Sequence, residues 1–164
     1  MIATQSTEID HPAAVVTVRP AALGDVAGIV ALVQENVKAG HLLPRTAEEV
    51  AASIDNWIVA ADGAAIVGIG SLLLMNPDLV EVRSLAVDPA YRTHGLGAKI
   101  VLGLVEKARQ RKISTVFALT RAVSFFTRLG FVVTDKERFP EKVWRDCVKC
   151  PLVTCCDETA VVLE

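Results

Sequence analysis

Arg92, Gly95 and Gly97 form an R-x-x-G-x-G run, with Thr93, His94 and Leu96 between them and Lys99 two residues further on. Before it comes a stretch rich in β-formers, Leu79 to Val87, stopped by Asp88-Pro89. After it, Leu96, Ile100, Val101, Leu104, Val105 and Ala108 recur at helical spacing. Strand, glycine loop and helix in that order make an anion site. Glycines let a ligand approach backbone N–H groups closely, and the helix dipole favours negative charge at that end. A phosphate group is the expected guest. Arg92 opens the loop and can fork onto it. Lys99 sits in the first helical turn, where it either reaches a phosphate oxygen or stays solvated. A protonated His94 would add to the attraction. The G-x-G-x-x-G and G-x-x-x-x-G-K-[ST] patterns of dinucleotide and P-loop sites are absent, as are a Ser-His-Asp order and H-E-x-x-H. The four cysteines fall in Cys147-Val148-Lys149-Cys150 and Cys155-Cys156. A structural zinc site and buried or redox-labile thiols are the alternatives there; adjacent Cys155 and Cys156 make ligation by all four awkward. No catalytic metal is expected.

The elements that must position the loop read as follows. Val15 to Arg19 is a first strand, ended by Pro20. Asp25 precedes Val26, Ile29, Val30, Val33 and Val37, the apolar stripe of a helix closed by Gly40. Thr46 and Glu49 form a capping box that opens a short second helix. Trp57 to Ala61 is a strand, Asp62-Gly63 signals a type I′ hairpin turn, and Ala64 to Met75 returns. After the glycine loop and its helix come a strand over 114–120, a short helix from Arg121 to Leu129 and a strand over 131–133. A helix over 140–147 and a last strand over Thr159–Leu163 end the chain. The order β-α-α-β-β-β-α-β-α-β-β predicts an α+β fold with a mixed, mostly antiparallel central sheet and helices on its faces. Residues 1–13 read as a loose tail and 14–164 as one domain.

Composition narrows the class. Of 164 residues, 52% are hydrophobic and 22% charged, which indicates a globular chain. The formal net charge of -2 argues against nucleic acid as a partner. No apolar run is long enough to span a bilayer, and the acidic N-terminus does not read as a secretory signal, so a soluble, cytoplasmic protein is expected.

Three segments in order carry a family resemblance: Leu85-Ala86-Val87-Asp88-Pro89, Tyr91-Arg92-Thr93-His94-Gly95-Leu96-Gly97, and Phe125-Phe126-Thr127-Arg128-Leu129-Gly130-Phe131. Together they resemble the GCN5-related N-acetyltransferases (GNAT), over about residues 14–164. The resemblance implies acetyl-CoA as co-substrate. Residues 92–97 would hold its pyrophosphate. Leu85, Ala86 and Val87 would take the pantetheine arm as an added strand. The Leu85 backbone would polarise the thioester carbonyl. Phe126 stands where the family often has a tyrosine acid, and is counted with the cofactor-binding residues. With no tyrosine there, water would protonate the leaving thiolate.

A narrower resemblance rests on Leu42-Leu43-Pro44-Arg45, Glu81 to Val87, Leu119-Thr120-Arg121, Asp135 to Trp144, and the Cys147-x-x-Cys150-Pro151 tail. These look like the acetyltransferase domain of N-acetylglutamate synthases, which implies L-glutamate as acceptor and the first step of arginine biosynthesis. Glutamate brings two carboxylates, and arginine forks bind carboxylates bidentately. Arg45, on the loop between the first two helices, and Arg83, on the central strand, are the expected pair. Thr120 can add a hydroxyl contact. Glu81 lies two residues from Arg83 on the same strand face, so it is the candidate general base if burial suits it to accept a proton. His41 can line the acceptor pocket. The expected partner is a small-molecule amino acid, with a homodimer left open. The alternatives are a GNAT enzyme for another amino acid, small amine or protein N-terminus, and a non-catalytic acetyl-CoA sensor.

Overall fold

The computed structural model describes residues 15–140 and 157–164. Seven strands form one sheet in the order β1-β2-β3-β4-β5-β7-β6: β1 (Thr17–Pro20), β2 (Trp57–Asp62), β3 (Ala65–Asn76), β4 (Leu79–Val87), β5 (Thr115–Thr120), β6 (Val132–Thr134) and β7 (Thr159–Leu163). Every pairing is antiparallel except β4 with β5. The expected element order holds.

α3 (Leu96–Gln110) covers one face. All six residues of its apolar stripe are buried, and they pack with Leu72, Val80, Val82, Val116 and Ala118. α1 (Val26–Lys38) and α2 (Ala47–Ala52) cover part of the opposite face, where Ile29, Leu32, Val33 and Val50 meet Trp57, Val59, Ile69 and Ala86. The Thr46–Glu49 capping box forms with both reciprocal hydrogen bonds. A third cluster joins Leu79, Phe117, Phe139, Ala160 and Val162, with the Phe117 and Phe139 rings stacked 4.0 Å apart. α4 (Val123–Arg128) leads into β6.

Several details differ from the sequence reading, and β3, β5, α4 and β6 are shifted by one or two residues at their ends. β1 begins at Thr17 rather than Val15. In the β2–β3 hairpin Asp62 pairs with Ala65, so the loop is Gly63-Ala64. Only Gly63 has positive φ, at 57°, so the turn is not type I′, which needs two such residues. The expected tail 1–13, most of the 140–147 helix and all four cysteines lie outside the described residues.

β4 holds the feature that shapes the site. Ile69 pairs with Ala86 and Ser71 with Arg83, so Ser84 and Leu85 together face the single residue Gly70. This is a β-bulge, and Ser84 adopts φ 54° within it. The extra residue reverses the alternation of side chains. Glu81 and Arg83 share the face of their partners Leu73 and Ser71, and Ala86 returns to that face opposite Ile69. Leu85 instead points to the α3 side, where it converges with Ile100 and Leu104 on Gly70. The β4–β5 ladder stops at Glu81–Phe117, before the bulge. From there the two parallel strands diverge.

Candidate active site

A cavity of about 400 Å³ opens where β4 and β5 part. Its walls come from five places: the α1–α2 loop with His41 and Arg45, β4 with Glu81, Arg83 and Leu85, the end of β5 with Thr120 and the turn at Arg121, α4 with Phe125 and Phe126, and Glu158 just before β7. The cavity therefore lies between the region covered by α1 and α2 and the Phe117–Phe139 cluster. Arg45 and Arg83, 38 positions apart in the chain, line the same space, and both are half-buried.

Glu81 is 3% exposed, a carboxylate sunk into the strand at the last β4–β5 pair. The bulge leaves Arg83 on its side of the sheet, and the Ser71 hydroxyl donates to the Arg83 carbonyl at 3.2 Å, fixing the backbone there. Arg45 Nη1 donates to the Pro44 carbonyl at 2.8 Å. Thr120 is buried, and its Oγ1 accepts the Ala122 N–H at 2.8 Å. That bond closes the turn into α4 and leaves the hydroxyl proton as what Thr120 has to give. Arg121 Nε donates to Asp157 at 2.7 Å; the ion pair ties the rim of the cavity to the entry of β7 and holds the Asp157 carboxyl below the ordinary carboxylate range.

The second half of the site is the start of α3. Asp88 Oδ1 accepts the Ala90 N–H at 2.9 Å and starts a 3-10 turn over Pro89–His94, which also contains Thr93. Arg92 Nε donates to the Val87 carbonyl at 3.2 Å, so the arginine straps the turn to the end of β4. Gly95 has φ 69° and nothing within 4 Å of where a Cβ would stand, which leaves open room over the helix end. Helix geometry leaves the N–H groups of Leu96, Gly97 and Ala98 without an acceptor inside α3. The Leu96 side chain is 2% exposed and belongs to the core, so only its backbone can face a ligand. His94 and Lys99 are exposed. The residues present thus fit an anionic group: open space, aligned N–H donors, and Arg92, His94 and Lys99 around it.

Phe125 joins the two halves. It lines the cavity, and its ring would lie 3.4 Å from a Cβ at Gly97, with Val87 Cγ2 at 3.9 Å. Phe126 is only 4% exposed and packs edge-on against both Phe125 and Phe131. Its ring borders the cavity but is committed to the core, so Phe125 is the better-placed aromatic. Sequence reasoning also passed over Arg121 and Glu158 as cavity residues. Tyr91, the only tyrosine in the chain, turns its hydroxyl away to Asp62. No tyrosine acid stands in the cavity. Among the described residues no group of three or more His, Cys, Asp or Glu could hold a metal, and no helix is long and apolar enough to cross a membrane.

A sheet whose parallel central strands splay beside a bulge, with an anion-binding helix start at the same end, is the architecture of an acetyltransferase. The Acetyltransferase (GNAT) family pattern matches residues 32–131, and the chain belongs to that family. It is an acyltransferase by fold and kinship. An uncharacterized N-acetyltransferase of Chlorobaculum tepidum is 34% identical over 151 residues, covering 92% of this chain and 97% of the relative. An amino-acid acetyltransferase of Mycobacterium tuberculosis is 46% identical over 66 residues, covering 40% of this chain and 38% of that enzyme. One from Shewanella oneidensis is 29% identical over 126 residues, which cover 76% of this chain but only 28% of that enzyme. Among solved structures, N-acetylglutamate synthase from Neisseria gonorrhoeae, complexed with coenzyme A and N-acetyl-glutamate, superposes with a TM-score of 0.77 at 27% identity. That match covers 90% of this chain and 34% of the larger one.

Proposed function

We propose that this chain transfers the acetyl group of acetyl-CoA to the α-amine of an amino acid bearing a side-chain carboxylate, L-glutamate first among them. The observation that carries the reading is the convergence of Arg45 and Arg83 on one cavity that also holds the buried carboxylate of Glu81. Two guanidinium forks suit two carboxylates, and a carboxylate suits an ammonium that must lose a proton. The kinship with amino-acid acetyltransferases and the likeness to the Neisseria synthase complexed with N-acetyl-glutamate support the same substrate class.

In this reading the N–H groups at the start of α3, with Arg92 and Lys99, hold the pyrophosphate. The backbone of Leu85, Ala86 and Val87, on the side that β5 has left, pairs with the pantetheine arm. The Leu85 N–H donates to the thioester oxygen and strengthens that bond as negative charge develops there. Arg45 and Arg83 orient the acceptor. Glu81 takes the ammonium proton, directly or through a water. The amine lone pair then forms the new N–C bond, the C–S bond breaks, and the second proton lost from the nitrogen passes through water to the leaving thiolate. Thr120 donates its hydroxyl proton to an acceptor carboxylate.

The test is release of the CoA thiol across a panel of amino acids, small amines and peptides. Glutamate turning over fastest supports the reading. Equal turnover of glutamate, glutamine and a simple amine would point to a different acceptor. Tight acetyl-CoA binding with no CoA release for any acceptor would indicate a sensor.

A further inference from the structure

Tyr91 and Asp62 form a polar contact that the reaction itself does not use. The Tyr91 hydroxyl donates to Asp62 Oδ2 at 2.5 Å, joining residues 29 positions apart. Asp62 is the last residue of β2, fixed by its pairing with Ala65 across the hairpin. Tyr91 sits in the middle of the 3-10 turn whose last residue, His94, is followed directly by Gly95 and the helix start. Its ring also rests against the α3-side core. The turn's other bonds are local or made by backbone: Asp88 Oδ1 accepts the Ala90 N–H, Arg92 donates to the Val87 carbonyl, the Tyr91 N–H donates to the Asp88 carbonyl, and the Asp88 N–H donates to the Val67 carbonyl of β3 at 2.7 Å. Among the bonds seen in the described residues, the Tyr91 hydroxyl is thus the one side-chain link from this turn to another hairpin. The bond also raises the Tyr91 phenol above its usual titration range, so it stays a donor at any working pH.

We infer that Tyr91 is a positioning residue for the anion site: by bonding Asp62, it fixes the 3-10 turn and so the direction in which the Gly95–Ala98 N–H groups point. This rests on the reading of that helix start as the acetyl-CoA pyrophosphate site. Pre-set donors lose less freedom when an anion binds, so the bond acts on cofactor affinity rather than on the acceptor. Neither residue touches the reacting atoms.

The experiment measures CoA affinity by calorimetry and KM for both substrates, in wild type, Y91F, D62A, D62N and the Y91F/D62A double variant. The expected result is a rise of about fivefold in the CoA Kd and acetyl-CoA KM for Y91F, for D62A and for the double variant alike, since all three lose one bond. Asn keeps an acceptor oxygen, so D62N should stay within about twofold of wild type. Acceptor KM and kcat should be unchanged. A purely structural bond would lower thermal stability and leave the CoA Kd where it was. Y91F binding CoA within about 1.5-fold of wild type, or effects of Y91F and D62A that add in the double variant, would overturn the inference. A wild-type chain that binds no CoA would overturn the proposed function, and this inference with it.

Discussion

Arg83→Ala is the sharpest perturbation of the acceptor half. Arg83 is half-buried on β4, one residue before the bulge, and its carbonyl is held by Ser71. The backbone therefore stays in place when the side chain is shortened, and the loss is confined to the guanidinium. A charge-assisted bond in a partly buried cavity is worth about 2–3 kcal/mol. At about 1.4 kcal/mol per decade, that is a rise of roughly 30- to 140-fold in the KM for glutamate. Arg83→Lys restores a point charge without the fork and should recover part of the loss. In the proposed reading the donor side runs through Leu85–Val87 and the start of α3, so the CoA Kd should move less than about twofold. Steady-state kinetics with glutamate varied at saturating acetyl-CoA, paired with CoA calorimetry, measures both. A glutamate KM within about threefold of wild type would show that Arg83 does not hold the acceptor. A matching loss of CoA affinity would show that the two halves are not separate.

Other consequences follow from packing and charge. A Cβ at Gly28, in α1, would meet Ile66 Cγ1 at 2.6 Å and Cβ at 3.0 Å, atoms that cannot swing clear. Gly28→Ala should therefore lower stability in urea by about 1–3 kcal/mol despite the better helix propensity of alanine. Gly103, in α3, would meet only the terminal Cδ1 of Ile58 closely, at 2.8 Å, so Gly103→Ala should be near neutral; equal losses at the two sites would refute this contrast. At Gly95, φ 69° strains any side chain, so Gly95→Ala should cost about 1–2 kcal/mol of stability and weaken CoA binding, as differential scanning fluorimetry with and without CoA would report. Asp25 is bonded to Arg19 at 2.7 Å and to the Ala22 N–H, and these bonds lower its carboxyl pKa. A lowered folded value means the stabilisation is present above the ordinary carboxylate value of about 3.9 and is lost as pH falls through the lowered one. Asp25→Asn should thus melt below wild type at pH 7, and the gap should close toward pH 2–3. A pH-independent gap would assign it to packing.

Local signals in the chain were strong enough to fix much of this. β4 and β7 begin and end where alternation and Pro89 place them, and Thr46 with Glu49 set the α2 entry through contacts three residues apart. Arg45 and Arg83 stand out in the sequence because two carboxylates would call for two guanidinium forks, and the structure places both on one cavity. What escaped is what tertiary packing decides. A serine with positive φ has no sequence signal, so the bulge at Ser84 was invisible, and with it the reversal that sends Leu85 to the α3 side. The two adjacent phenylalanines are chemically alike; only the packing of Phe126 between Phe125 and Phe131 separates the core ring from the one over Gly97. Arg121 and Glu158 enter the cavity because β7 pairs with β5, a contact across nearly forty residues of chain. The hairpin turn was misjudged by one position because Asp62 is still a strand residue, held there by Ala65 and used by Tyr91.

The central claim is that one cavity reads both acceptor carboxylates at the place where β4 and β5 part. Its most direct test is the ratio of kcat/KM for glutamate to that for glutamine, which differ only in the distal charge. A site that pairs the distal carboxylate with an arginine fork should favour glutamate by at least about 30-fold, because glutamine would leave a guanidinium unmatched in a partly buried cavity. A ratio near one would contradict the account.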